Sequence, residues 1–291
     1  MRTISVPGKL FVMGEYGVIE GGAAFLCTLK PSYVFEGTAR GSEEGDEFHP
    51  GSPLGRWISS QRSQVTPVRL VGAGLGPGFG SSTAELIAGG FFHLGHLPET
   101  SNFWLEYRAR HPEASGSDLA VQLEAARGRG PFFRVSVPGQ VESLPRVPLF
   151  EEVLLFQREP SRKLKTHEDL ARVDRAPLDR KRFDALLSSF EEKLALRRVP
   201  GRWSSEEVYA FFAIWDEFAD FLEASGRETP DASRIRKALR GAPGVMGVKG
   251  CGAGLNDAFL VACPEDRRDG VIEAASRLGL RYLGVLAELL S

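Results

Sequence analysis

Gly72-Ala73-Gly74-Leu75-Gly76-Pro77-Gly78-Phe79-Gly80-Ser81-Ser82-Thr83-Ala84-Glu85 places a glycine at every second position from 72 to 80, between a short apolar run and a stretch with helical patterning. No frame supplies the glycine offsets of a dinucleotide-binding turn, and the Gly-Lys-Ser/Thr ending of a Walker loop is absent. The physical logic of anion binding is still present. A strand delivers a backbone with little side-chain bulk to a helix N-terminus, where unpaired N–H groups and the helix dipole favour negative charge. Ser82 followed by Glu85 matches a capping box and predicts the helix start there. Gly74, Gly76, Gly78, Phe79 and Gly80 would approach a phosphate through their backbone. The hydroxyls of Ser81, Ser82 and Thr83 would face the same anion. Bulk at Gly78 or Gly80 would block that approach and leave the fold intact. A glycine-rich structural turn is the alternative on spacing alone.

Around this stretch the chain alternates strand and helix patterns. Residues 3–6 and 10–13 read as strands flanking a tight turn at Pro7-Gly8-Lys9, and 33–38 alternates with a period of two. Residues 41–55 mix Gly, Ser, Pro and acids and read as a surface loop. A short strand over 68–71, helices over 82–97, 102–110 and 117–126, and a strand over 132–137 follow. The remainder reads as a strand at 152–156, the basic run Arg162-Lys163-Leu164-Lys165, and long amphipathic helices near 178–197 and 204–225. Val208, Phe211, Phe212, Trp215, Phe218 and Leu222 recur at helical spacing in the second of these and read as core. The tail reads strand (245–249), strand (257–263), helix (267–278) and strand (281–286). The pattern is α+β, with domains over 1–150 and 151–291 and no internal repeat.

Composition sets the outer bounds. The 291 residues allow about two domains at roughly 150 residues each. Lys+Arg total 36 against 38 Asp+Glu, a formal net charge of -2, which argues against a dedicated nucleic-acid binder. Cys27, Cys251 and Cys263 fit no zinc or redox spacing, so a reducing, cytoplasmic setting is expected. Pro7, Gly8 and Lys9 come too early for the apolar core of a secretory leader. No run approaches the ~18 apolar residues of a membrane span, so no membrane partner is expected.

Two further glycine-rich sites stand beside the first. Pro7-Gly8-Lys9-Leu10-Phe11-Val12-Met13-Gly14-Glu15-Tyr16-Gly17 holds a lysine at the edge of an apolar strand, available to an anion or a nucleophilic oxygen. Lys249-Gly250-Cys251-Gly252-Ala253-Gly254-Leu255-Asn256-Asp257 is a small-residue loop between strands. Together, in this order and across nearly the whole chain, the three sites resemble the GHMP kinase superfamily. Gly78-Phe79-Gly80-Ser81-Ser82-Thr83-Ala84 is similar to the family's Gly-Leu-Gly-Ser-Ser-Ala-Ala. Tyr16 and Asp257 resemble phosphomevalonate kinases, where mevalonate kinases carry His and Gly.

The resemblance implies an N-terminal α+β domain and a C-terminal ferredoxin-like α+β domain, with the active site in the cleft. It implies ATP and Mg2+ as cofactors. Ser115-Gly116-Ser117-Asp118 resembles the family's Ser-Gly-x-Asp, which makes Asp118 the catalytic base and Lys9 its partner. On residue type alone, Asp118 would equally cap the helix that follows it. The resemblance assigns magnesium to Ser82 and a glutamate, Glu106 or its competitor Glu113. It places the acceptor against Lys9, Glu15, Tyr16, Ser115, Gly116, Gly252, Ala253 and Gly254. Arg162, Lys163, Lys165 and Thr166 follow a strand where an anionic acceptor would be clamped by charge-assisted hydrogen bonds. A solvated basic loop is the alternative. The expected function is phosphorylation of phosphomevalonate by a monomer or homodimer. Mevalonate, a related decarboxylation and a non-catalytic ligand sensor are the alternatives.

Overall fold

The computed structural model describes residues 2–37, 51–60, 68–76, 78–112, 114–136, 139–158, 177–196, 204–252 and 258–291. The chain divides into two compact units, Met1–Pro145 with Leu290–Ser291, and Arg146–Leu289.

The first unit is built on an antiparallel sheet of five strands: β1 (Thr3–Met13), β2 (Ala23–Gly37), β3 (Val68–Ala73), β4 (Phe132–Ser136) and β5 (Gln140–Leu144). β2 is long enough to pair twice along one edge. Its first part meets β4, from Ala23 opposite Ser136 to Cys27 opposite Phe132. Its last part meets β3, from Tyr33 opposite Ala73 to Gly37 opposite Val68. β1 runs along the other edge, from Thr3 opposite Glu36 to Met13 opposite Phe25.

The tight turn expected at residues 7–9 is a register shift between Val6 and Gly8 inside one continuous strand. Proline has no N–H to give a ladder, and a bulge absorbs it without ending the strand. The helices are α1 (Pro53–Ser60), α2 (Ser81–Leu94), α3 (Thr100–Arg110) and α4 (Ser117–Ala126). α1 begins within the stretch 41–55 read as a surface loop; residues 38–50 lie outside the described residues. Ile4, Val6, Tyr33, Phe35, Leu54, Trp57, Ile87, Phe103 and Leu119 form one buried cluster from strands and helices together.

The second unit holds β6 (Val153–Arg158), α5 (Arg180–Leu196), α6 (Ser205–Ala224), α7 (Pro230–Arg240), β7 (Gly247–Cys251), β8 (Ala258–Ala262), α8 (Arg268–Arg277), β9 (Leu280–Val285) and a short α9 (Leu286–Leu289). The sheet order β7-β8-β6-β9, antiparallel throughout, is the ferredoxin-like arrangement. Phe211, Phe212, Trp215, Phe218 and Leu222 are buried as the helical spacing requires, while Val208 is half-buried. Phe190 packs on Phe211, and Phe183 on Phe218 and Phe221, so α5 and α6 share an aromatic seam. No helix among the described residues is long and apolar enough to cross a membrane.

Candidate functional site

The site assembles in the first unit where β1, α2 and α4 meet. α2 begins at Ser81 with Gly80 as its N-cap, at φ 84° and without a side-chain cap. The expected capping box from Ser82 to Glu85 is therefore not formed. A left-handed φ suits glycine, because a Cβ there would crowd its own carbonyl. The result is a first turn whose leading N–H groups receive no side-chain cap from the N-cap residue. Ser82 is exposed at that end and Ser81 half-buried. Thr83 departs from the expectation: it is buried, its hydroxyl donates to Gln122 Oε1, and it lies 3.0 Å from the Gly80 carbonyl oxygen. Its helical position, two residues past Ser81, turns it inward.

The glycine run is fastened at both ends. Upstream, the buried Tyr33 hydroxyl donates to the Gly76 carbonyl at 2.6 Å. Burial pushes that phenol above the usual tyrosine range. Downstream, Phe79 is fully buried, and its carbonyl accepts the Lys9 backbone N–H at 2.9 Å. Gly74 and Gly78 are half-buried, and Pro77 lies outside the described residues.

Lys9 thus touches the loop through its backbone and a carboxylate through its side chain. Its Nζ lies 2.8 Å from Asp118 Oδ2 and 5.0 Å from the centre of the Phe11 ring. The lysine side chain is 9% exposed and the aspartate 29%, so the pair opens to solvent on the carboxylate side. Asp118 stands in the first turn of α4, whose N-cap is Gly116 at φ 73° with no side-chain cap. Capping is therefore not what Asp118 does. The turn before it is strapped by other groups: Trp104 Nε1 donates to the Ser115 carbonyl at 3.1 Å, and the Ser117 N–H donates to Ser115 Oγ at 3.2 Å. A Cβ on Gly116 would fall 2.6 Å from Trp104 Nε1, so the strap needs glycine there.

The remaining expected residues divide into four groups. Glu15 is buried, and Tyr16 holds a left-handed φ of 70° in the turn after β1. Glu106 is not brought to Lys9 and Asp118. Its carboxylate accepts from Trp57 Nε1 at 3.3 Å and pairs with Arg110 at 3.3 Å. Two residues along a helix is about 200° of rotation, so Glu106 leaves α3 opposite the Trp104 strap. Gly252 follows β7 in the second unit. Glu113, Arg162, Lys163, Lys165, Thr166, Ala253, Gly254, Asn256 and Asp257 lie outside the described residues.

No group of three His, Cys, Asp or Glu suited to a metal ion occurs among the described residues. A nucleotide-borne magnesium needs less, since phosphates and water supply most of its oxygens. The exposed Ser82 hydroxyl fits such an ion; the Glu106 carboxylate is engaged by Trp57 and Arg110.

One residue of the site was not read from the sequence. Gln122 is fully buried on α4, one turn beyond Asp118. Its Nε2 donates to the Pro7 carbonyl at 2.8 Å and to the Gly80 carbonyl at 3.2 Å. The i, i+4 spacing from Asp118 was the available signal.

No protein-family model matches the chain, and no curated protein matches it by sequence. Solved structures do match in fold. The Methanococcus jannaschii mevalonate kinase aligns over 97% of this chain and 96% of its own, with TM-score 0.60 at 14% identity. The Streptococcus pneumoniae phosphomevalonate kinase aligns over 97% and 98%, with TM-score 0.63 at 15% identity. The Lactococcus lactis galactokinase, complexed with galactose, aligns over 97% and 93%, with TM-score 0.61 at 10% identity. The chain has the α+β fold of the GHMP kinases.

Proposed function

We propose that this chain is an ATP-dependent kinase that transfers the γ-phosphoryl group of ATP to a phosphate oxygen of phosphomevalonate. The observation that carries the kinase reading is the Lys9–Asp118 pair at 2.8 Å, set beside an uncapped helix N-terminus by the Lys9 N–H bond to Phe79. Phosphoryl transfer asks mainly for positioning and for neutralisation of charge spread over the transferring oxygens. The first turn of α2 offers backbone N–H groups to the ATP phosphates. The Ser82 hydroxyl would hold a magnesium ion carried on the nucleotide phosphates, and the ion would supply neutralisation of phosphate charge.

Lys9 stands between the two anions that must meet. Its ammonium offsets their repulsion, and Asp118 and the Phe11 ring fix its direction. The acceptor oxygen attacks phosphorus, the bond to the ADP oxygen breaks, and ADP leaves. A phosphomonoester has a second pKa of about 6, so most acceptor molecules arrive without that proton at neutral pH. Asp118 accepts the proton from those that retain it, and for the rest it holds the Lys9 ammonium in place, where a misplacement of about 1 Å costs on the order of a hundredfold in rate.

The acceptor is proposed from three supports. Tyr16 and Asp257 resemble the phosphomevalonate kinase forms of their motifs. Arg162, Lys163 and Lys165 supply cations suited to an anionic acceptor. A structural neighbour is the Streptococcus pneumoniae phosphomevalonate kinase in complex with phosphomevalonate and AMPPNP, at 15% identity. A cytoplasmic setting follows from the same reading.

A coupled ADP-release assay over phosphomevalonate, mevalonate, homoserine and galactose tests the acceptor. Turnover with phosphomevalonate exceeding that with mevalonate by about a hundredfold is expected, the value of one or two charge-assisted contacts. High turnover on mevalonate with none on its 5-phosphate overturns the acceptor. ATP binding without turnover on any of the four would favour a ligand sensor.

A further inference from the structure

We propose that Gln122 is a positioning residue that ties the phosphate-binding end of α2 to the Lys9–Asp118 pair, a role that rests on the kinase reading above. The side chain is fully buried and uses its amide on two other elements, β1 and the start of α2. Nε2 donates to Pro7 O at 2.8 Å and to Gly80 O at 3.2 Å, and Oε1 accepts from the Thr83 hydroxyl. Both N–H groups are thereby spent, and the amide orientation is set: a flipped amide would face two carbonyl oxygens with its own.

The partners stand at particular places. Pro7 is the bulged residue of β1, two positions before Lys9. Gly80 is the N-cap of α2, and Thr83 lies in its first turn. Gln122 itself stands one turn after Asp118 on α4, on the same face. One amide therefore joins the strand that carries the cation, the helix that carries the carboxylate and the helix end that would receive the phosphates. Sliding α2 against α4 must break these bonds inside the core, where a polar group left unpaired is costly. Even the space is shared: a Cβ on Gly80 would lie 2.9 Å from Lys9 Cγ and 3.1 Å from both Gln122 Oε1 and Nε2. Misplacement of reacting groups by about 1 Å costs on the order of a hundredfold in rate, so a fastening at this point acts on turnover before binding.

The test is Gln122→Met, which keeps the shape and removes the donors. It is measured for kcat, for MgATP Kd and for melting temperature, alone and combined with Asp118→Asn. We expect kcat to fall about thirtyfold, MgATP Kd to stay within about threefold, and the double variant to lose less than about threefold beyond Asp118→Asn. A kcat within threefold of wild type, or losses that multiply fully in the double variant, overturns the proposal. If the methionine variant does not fold, Gln122→Glu carries the same comparison, since it keeps the acceptor for Thr83 and loses the donors to the two carbonyls. If the wild-type chain turns over no acceptor, the kinase reading fails separately, and the 1H–13C signals of the Lys9 side chain decide. A shift in Gln122→Met like that in Asp118→Asn upholds the fastening; unchanged signals overturn it.

Discussion

Two of the cations that this chain buries are handled in opposite ways. Arg236, in α7 of the second unit, is 3% exposed and is met by Asp220 at 2.9 Å, Glu223 at 2.9 Å and Glu228 at 3.0 Å. Its guanidinium is filled by carboxylates from α6, its end and the segment after it. Lys9 is 9% exposed and has a single carboxylate partner among the described residues, itself 29% exposed. The first arrangement spends most of its donors on three carboxylates and works as a scaffold joint. The second leaves donors of the ammonium and oxygens of the carboxylate for something else. Burial of charge alone marks neither a joint nor a site; the number of partners and the exposure of the partner separate them.

The comparison can be broken at its scaffold end first. Replacing Arg236 by methionine removes the guanidinium that meets Asp220, Glu223 and the 3%-exposed Glu228 side chain, while Lys237 still reaches Glu223 at 2.6 Å. Removing one partner of a buried pair costs about 3–5 kcal/mol. Denaturant unfolding of Arg236→Met should show a loss of that size with residual turnover per folded molecule unchanged. A loss below about 1 kcal/mol would mean that the joint is no different from a surface pair.

At the Lys9 end, a smaller change sharpens the contrast. Gly80→Ala forces a left-handed φ on alanine, worth about 1–2 kcal/mol, and brings a Cβ to 2.9 Å from Lys9 Cγ. Bulk at Gly80 meets Lys9 and Gln122 as well as any phosphate. We expect a stability loss of about 1–2 kcal/mol together with a fall in kcat, read by thermal unfolding and steady-state kinetics. Normal kcat in the folded variant would separate the loop from the pair.

What the sequence allowed to be read follows from how local each signal is. The helix after the glycine run, the aromatic seam of α6 and the pairing of Lys9 with Asp118 were legible through periodicity or motif. The start of α2 was misread because a Ser-x-x-Glu pattern is local, while Gly80 takes the N-cap position by adopting a conformation that only its neighbours in space reward. Pro7 looked like a turn because proline interrupts a ladder, yet β2 continues opposite it and the strand merely bulges. α7 carried a legible start that was passed over: Thr229 caps it by accepting the Ala232 N–H at 3.3 Å, and Pro230 fills its first turn. Gln122 carried only its spacing from Asp118 as a signal. A glutamine on a helix is usually solvated, and only the tertiary approach of Pro7 and Gly80 gives it a role. For Glu106, chain distance from Asp118 says nothing of the face on which it leaves α3, and its carboxylate meets Trp57 and Arg110.

The central claim is that Lys9 and Asp118 form a reacting pair and not a second scaffold joint. Asp118→Asn tests it most directly, because it keeps the shape, removes the charge and disturbs no cap. On the acceptor that supports turnover, kcat should fall about a hundredfold or more while the melting temperature stays within a few degrees of wild type. Near-normal kcat with a clear drop in melting temperature would contradict it, and would place Lys9 and Asp118 beside Arg236 among the joints of the fold.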